Sequence, residues 1–211
     1  MSQTGTTANP IFTIGHSNHP LKVFLELLSA HGITTLADVR SAPYSRFNPH
    51  FNRDALSRAL ASHGIAYTFL GKELGGRVDD PSCHHEGRVS YERVARTNYF
   101  RNGIKRLTRG AEKHKIAIMC AEREPLDCHR TLLVAHALDQ QQVRVNHVLA
   151  DGGLESHAQT MNRLLARHDL HPKGDLLMSR DASIATAIES QAKRVAFVAD
   201  KSLAGFKPGM S

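Results

Sequence analysis

The chain has no apolar stretch of the ~18 residues that a membrane-spanning helix needs, so no transmembrane segment is expected. Its opening, Met1 to Pro10, is small and polar. It carries neither a basic n-region nor an apolar h-region, so no signal peptide is expected. A disordered start and a cytoplasmic protein are the expectation. Cysteine is scarce, with only Cys83, Cys120 and Cys128 in 211 residues. An odd count makes a poor disulfide framework, and free thiols in a reducing compartment follow. No block of like charges marks a charged tail. There is no internal repeat and no CxxC or HxxxH spacing for a metal. Gly71 to Gly76 lacks the GxGxxG pattern of a dinucleotide loop.

What is present is an ordinary globular composition, 41% hydrophobic and 22% charged. The net charge of +7 favours anionic partners: nucleotides, phosphorylated metabolites or nucleic acid. Fourteen histidines mean that the charge changes strongly near pH 6 to 7.

Short apolar runs alternate with amphipathic segments. Ile11 to Gly15, Thr34 to Arg40, Ala66 to Leu70, Lys115 to Cys120 and Val143 to Leu149 read as buried strands. Helices are predicted from Pro20 to His31, from Asn52 to His63, and from Tyr91 to about Glu112 with a break near Asn102-Gly103. Another is predicted from Cys128 to about Gln140, capped by Asp127. Such alternation predicts an α/β fold, a mainly parallel sheet with helices on both faces, three-layered and Rossmann-like. Residues 1–10 are expected to be disordered, 11–153 to form the α/β core, and 154–211 to add an α-rich C-terminal extension packed on it. In that extension helices are expected at Glu155 to His168 and Ala182 to Lys193, a strand at Arg194 to Val198, and fraying from Lys201. Gly71 to Gly87 reads as a surface loop or lid, on which Cys83 is exposed and not activated.

Parallel sheets bind ligands where their strands end, and the polar residues of this chain gather there. The first strand delivers His16 and Ser17, the second Asp38 and Arg40, and the fourth Cys120 and Glu122, followed by Cys128-His129-Arg130. Cys128 at a helix N-terminus, next to His129 and Arg130, is placed to form a reactive thiolate. His16, directly after a strand, is a candidate acid or base, or a histidine bonded to Asp38. Arg130 points to a bound anion, or pairs with Glu122. Arg46, with Arg40, Tyr44 and Phe47, makes a basic loop with aromatic faces that suits a nucleotide or a splayed base. The catalytic candidates are therefore Cys128, His16, Cys120, Glu122 and His129. The substrate-binding candidates are Arg40, Arg46, Arg130, Asp38, Ser17 and Tyr44. No residue is assigned to a metal, and no cofactor is named. Cys120, Cys128, His129 and Cys83-His84-His85 remain conceivable zinc or iron ligands.

The strings Thr13-Ile-Gly-His16-Ser-Asn18, Leu36-Ala-Asp-Val-Arg40 with Pro43 and Ser45-Arg46, Gly75-Gly76, and Met119-Cys-Ala-Glu122 with Cys128-His-Arg130 resemble the family called domain of unknown function 488, over roughly residues 11 to 153. The resemblance implies an α/β domain of bacterial or archaeal cytoplasm, with these residues as characteristic polar positions. It supplies no substrate. The expectation is an enzyme acting on a small anionic substrate that carries a phosphate or a nucleotide. The alternatives are a nucleotide- or nucleic-acid-binding module without turnover, and a metal-binding protein using Cys and His ligands. No membrane partner is expected, and oligomeric state is not legible.

Overall fold

The computed structural model describes residues 9–172, 174 and 178–198. The expected fraying of the first eight residues and beyond Lys201 lies outside them. Chain order runs β1 (Ile11–Gly15), α1 (Leu21–Ala30), β2 (Thr35–Asp38), α2 (Arg53–Ala61), β3 (Ala66–Phe69) and a short α3 (Gly71–Leu74). A two-stranded hairpin follows, β4 (His84–His85) and β5 (Arg88–Val89), then α4 (Tyr91–Ala95), α5 (Asn98–Ala111) and β6 (Ile116–Cys120). The chain continues through α6 (His136–Asp139), β7 (Val145–Val148), β8 (Leu154–Ser156), α7 (His157–Arg167) and α8 (Arg180–Val195).

The main sheet has the order β3-β2-β6-β1-β7-β8, parallel except for β8. It is the predicted three-layer α/β architecture. β1 and β6 are buried at every residue, because helices cover both faces. Side-chain alternation divides the core. Phe12, Ile14, Leu36, Ala117 and Met119 pack with Phe24 and Leu28 of α1 and Leu56 and Leu60 of α2. Ile11, Ala37, Ile116, Ile118 and Cys120 pack with Ile104 and Leu107 of α5, Leu164 of α7 and Ala187 of α8. Among the described residues no helix is long and apolar enough to cross a membrane.

Four local expectations are corrected. The break in the 91–112 segment falls at Arg96-Thr97, where the Thr97 hydroxyl caps α5, and α5 runs unbroken through Asn102-Gly103. Leu154–Ser156 is an antiparallel strand, and the helix starts after it in a Ser156–Gln159 capping box. The expected strand at Arg194 to Val198 reduces to one bridge between Val198 and Arg88, because α8 runs on to Val195. Cys83 is 1% exposed rather than open on a loop: the hairpin folds over it and Tyr99 Oη lies 3.5 Å from its sulfur.

A histidine chain crosses the core beneath β1 and β7. Thr13 Oγ1 lies 2.7 Å from His147 Nδ1, and His147 Nε2 lies 3.1 Å from His157 Nδ1. His157 Nε2 has no partner. Burial holds both rings neutral, and that of His157 has its pKa lowered to about 3. The unfolded chain takes up this proton near pH 6.5 and the folded protein only near 3. The His157 contribution is therefore complete above pH 6.5 and is lost as pH falls through that window. At pH 5 the loss should be about 2 kcal/mol. In urea titrations at pH 7 and pH 5, the stability of wild type should fall by that much more than that of His157→Gln. Parallel curves would refute it.

Candidate functional site

Strand order brings three of the sequence candidates' strands together. β6 inserts between β1 and β2, so the chain ends of these three strands open on one crevice. A cavity of about 550 Å³ lies there. Its wall includes His16, Ser17, Arg40, Tyr44, Cys120, Glu122, Cys128 and His129.

On one side, Asp38 and Arg40 form a buried ion pair at 2.7 Å. Asp38 also accepts the Arg40 backbone N–H (3.1 Å), Arg40 Nε (3.0 Å) and the Tyr67 hydroxyl (2.8 Å). Arg40 Nη2 donates to the Phe51 carbonyl at 2.8 Å, and Nη1 lies 3.2 Å from His16 Nε2. The His16 ring stacks on Phe51 with centroids 4.3 Å apart. Its Nδ1 lies 2.8 Å from the Ser17 carbonyl, which can only accept, so Nδ1 carries the proton and Nε2 takes the Arg40 N–H. Burial, with the Arg40 charge adding to it, lowers the His16 pKa to about 4 against the hydrogen bond to Ser17. The bond between His16 and Asp38 anticipated from sequence runs through Arg40 instead. Ser17 has φ 47°, a left-handed backbone in a residue that is not glycine.

On the other side, four groups converge. Glu122 Oε2 is 2.9 Å from both Cys120 Sγ and Cys128 Sγ. His129 Nδ1 is 3.5 Å from Cys120 Sγ and 3.8 Å from Cys128 Sγ. His129 Nε2 donates to the Val39 carbonyl at 3.1 Å, which fixes the ring with Nδ1 toward the sulfurs. Gly76 makes room for it: a Cβ there would lie 2.8 Å from His129 Cγ. Gly15 is equally constrained, since a Cβ there would overlap the Glu122 carbonyl oxygen. Close approach thus explains Gly15 and Gly76 in the sequence motifs.

Cys128 is not in the first helical turn, and Asp127 is not its cap. Pro125–Asp127 form a 3-10 turn, and Cys128 is extended with φ −138° and ψ 140°. The helix opens after it, π-wound over Arg130–Ala135. Cys128 is itself the cap: its sulfur takes the Arg130 N–H at 3.4 Å, and its carbonyl those of Thr131 and Leu132. Asp127 is drawn away by Arg167 (2.8 Å) and Gln191 (2.9 Å).

Arg130 is 0% exposed. Its Nη1 and Nη2 donate to the carbonyls of Glu122 (2.5 Å) and Arg123 (3.1 Å). No carboxylate pairs with it among the described residues. Burial pushes the Cys128 thiol up, but the hydrogen bond from Cys120 and the charges of Arg130 and His129 outweigh it and hold its pKa well below the ordinary value. Cys120 moves the opposite way, raised by burial and by Cys128. Burial and the Cys128 charge raise Glu122. His129 is raised by its hydrogen bond to Cys128 and that charge, against burial.

Of the sequence candidates, Arg46 is exposed and does not line the cavity, and Arg130 supports its floor from beneath. Asn18, from the first motif, lines it too, and Arg77, Tyr91, Asn48 and Phe197 line it and were not anticipated. Arg77 lies over the Phe197 ring at 5.1 Å, a pairing between residues 120 positions apart that no local pattern announces.

Fold and site define an α/β protein with a thiol–carboxylate–imidazole cluster at the crevice of a parallel sheet. The family model described as "Domain of unknown function DUF488" matches residues 20–137, more than half of the chain, and the chain belongs to that family. No curated protein and no solved structure matches it.

Proposed function

We propose that this chain is an enzyme that reacts a small anionic substrate, bearing a phosphate or a nucleotide, at the Cys128 thiolate. The observation that carries the reading is the buried Arg130 guanidinium without a carboxylate partner. A buried cation needs a compensating charge, and the Cys128 sulfur, which takes the Arg130 backbone N–H and whose ionised form the Arg130 charge favours, is placed to supply it. Both cysteine sulfurs lie 2.9 Å from Glu122 Oε2, and His129 Nδ1 backs the Cys128 sulfur at 3.8 Å. The thiolate is the nucleophilic form of cysteine.

In the reaction the Cys128 sulfur forms a bond to an electrophilic centre of the substrate. Glu122, a carboxyl raised toward its protonated form, gives its proton to the leaving group as the bond between that group and the electrophilic centre breaks. Arg77, with Ser17 and Tyr44, lines the space for the anion, and the buried Arg40–Asp38 pair braces that wall. His16 holds Arg40 Nη1 in place rather than taking up or passing on a proton, since its Nε2 lone pair is engaged. The three unbridged thiols fit a reducing cytoplasm.

Iodoacetate and iodoacetamide separate an anion-recruiting thiolate from a plain one. Cys128 should react faster with the anionic reagent, and inorganic phosphate should slow it. Arg77→Ala should weaken phosphate protection about tenfold, the loss of one charged hydrogen bond. A preference for iodoacetamide, with no effect of phosphate, would refute the anionic substrate.

A further inference from the structure

We propose that Cys120, Cys128 and His129 bind one thiophilic divalent cation of the zinc type, with Glu122 on its fourth, cavity-facing position. The inference deepens the reading above and rests on its site, though not on its nucleophile.

The geometry is that of a ligand set. The four donor atoms lie within 4.8 Å of one another. A tetrahedral ion with bonds of about 2.3 Å to sulfur and 2.0 Å to nitrogen sets these atoms roughly 3.5 to 3.8 Å apart. The two sulfur-to-Nδ1 distances are 3.5 and 3.8 Å. The sulfur-to-carboxylate distances, at 2.9 Å, are shorter, as direct hydrogen bonds are.

The outer contacts fit as well. Histidine ligands of metals almost always donate their other N–H to a carbonyl or carboxylate, and His129 Nε2 donates to the Val39 carbonyl. Arg130 N–H on the Cys128 sulfur is the kind of contact that tempers a ligating thiolate. Two sulfurs and an imidazole select zinc-like ions over magnesium or calcium.

The ligands differ in access. Cys120, Cys128 and His129 are 3%, 1% and 8% exposed, whereas Glu122 is an exposed residue on the cavity wall whose carboxylate turns inward to the sulfurs. Three buried ligands with a displaceable fourth are the pattern of a catalytic rather than a structural site. The ion would replace the protons shared within the cluster, releasing that of Cys120 to solvent. Cys83, His84 and His85 do not join the group.

The test is titration of chelator-treated protein with cobalt(II), with iodoacetate labelling of Cys128 in parallel. The expected result is one equivalent bound, with thiolate-to-cobalt charge transfer of two-thiolate intensity and tetrahedral d–d bands, displaced by zinc. Cys128→Ser and His129→Ala should each weaken binding by more than the ~10- to 100-fold cost of losing an outer partner. Glu122→Gln should keep the two-thiolate band. Bound metal should protect Cys128 from iodoacetate. No cobalt binding by protein whose Cys128 still reacts overturns the metal site and leaves the thiolate enzyme standing. Cobalt binding with Cys128 inert in the metal-free state sustains the metal site and removes the nucleophile. A band of one-thiolate intensity in wild type overturns the ligand set.

Discussion

Arg130→Met should be among the most damaging single changes in this protein, at about 3 to 5 kcal/mol of stability. The side chain is nearly conserved in length, so packing is not the main loss. Three things go at once. The carbonyls of Glu122 and Arg123 lose their donors. The loop after β6 is no longer tied to the helix that begins beyond Cys128. The buried Cys128 sulfur loses the fixed positive charge that favours its ionised form. Arg130→Lys should recover part of the stability, because a single ammonium restores the charge but not the two-pronged fork. Urea denaturation gives the comparison. A Met variant as stable as wild type would mean that the cluster holds no compensating negative charge.

Asp38→Ala should cost a similar amount, again about 3 to 5 kcal/mol, because it strands the Arg40 guanidinium inside the protein. Arg40 is 5% exposed, and apart from Asp38 its polar partners are the Phe51 carbonyl and His16. Tyr67→Phe removes one of the donors to Asp38 and should cost about 1 kcal/mol. The two changes share a partner, so the double variant should lose less than their sum. Additive losses in a double-mutant cycle would show that Tyr67 and Asp38 act independently. Repair of Asp38→Ala stability by added phosphate would mark Arg40 as able to meet an anion once freed from its partner.

Much of this was legible in the sequence because it is periodic or local. Ile11 to Gly15 and Lys115 to Cys120 are short apolar runs closed by a change of polarity, and both are strands. The alternation of strands with amphipathic segments carried the α/β architecture. What was not legible depends on which strands become neighbours. That β6 enters between β1 and β2 is a long-range choice, and it alone sets Cys120 opposite His16. Tyr67 reaches Asp38 because β3 pairs with β2. Cys83 reads as an exposed loop residue until the small hairpin covers it. Asp127 looked like a helix cap by residue type, but Arg167 and Gln191 compete for it from helices far along the chain. For the same reason Arg46 drew attention and Arg77 did not, since only the folded loops decide which arginine borders the cavity.

The most direct measurement is the rate of iodoacetate modification at each cysteine of the native, chelator-treated protein at neutral pH, read by peptide mapping. All three thiols are buried, at 1%, 3% and 1% for Cys83, Cys120 and Cys128, so exposure alone predicts equal and slow reaction. The account predicts otherwise. Cys128 should be labelled at least tenfold faster than Cys83, because it opens on the cavity and carries the thiolate, and Cys120 should lag because burial and the neighbouring Cys128 hold it as the thiol. Equal rates at the three positions, or labelling led by Cys83, would contradict a reactive centre at Cys128.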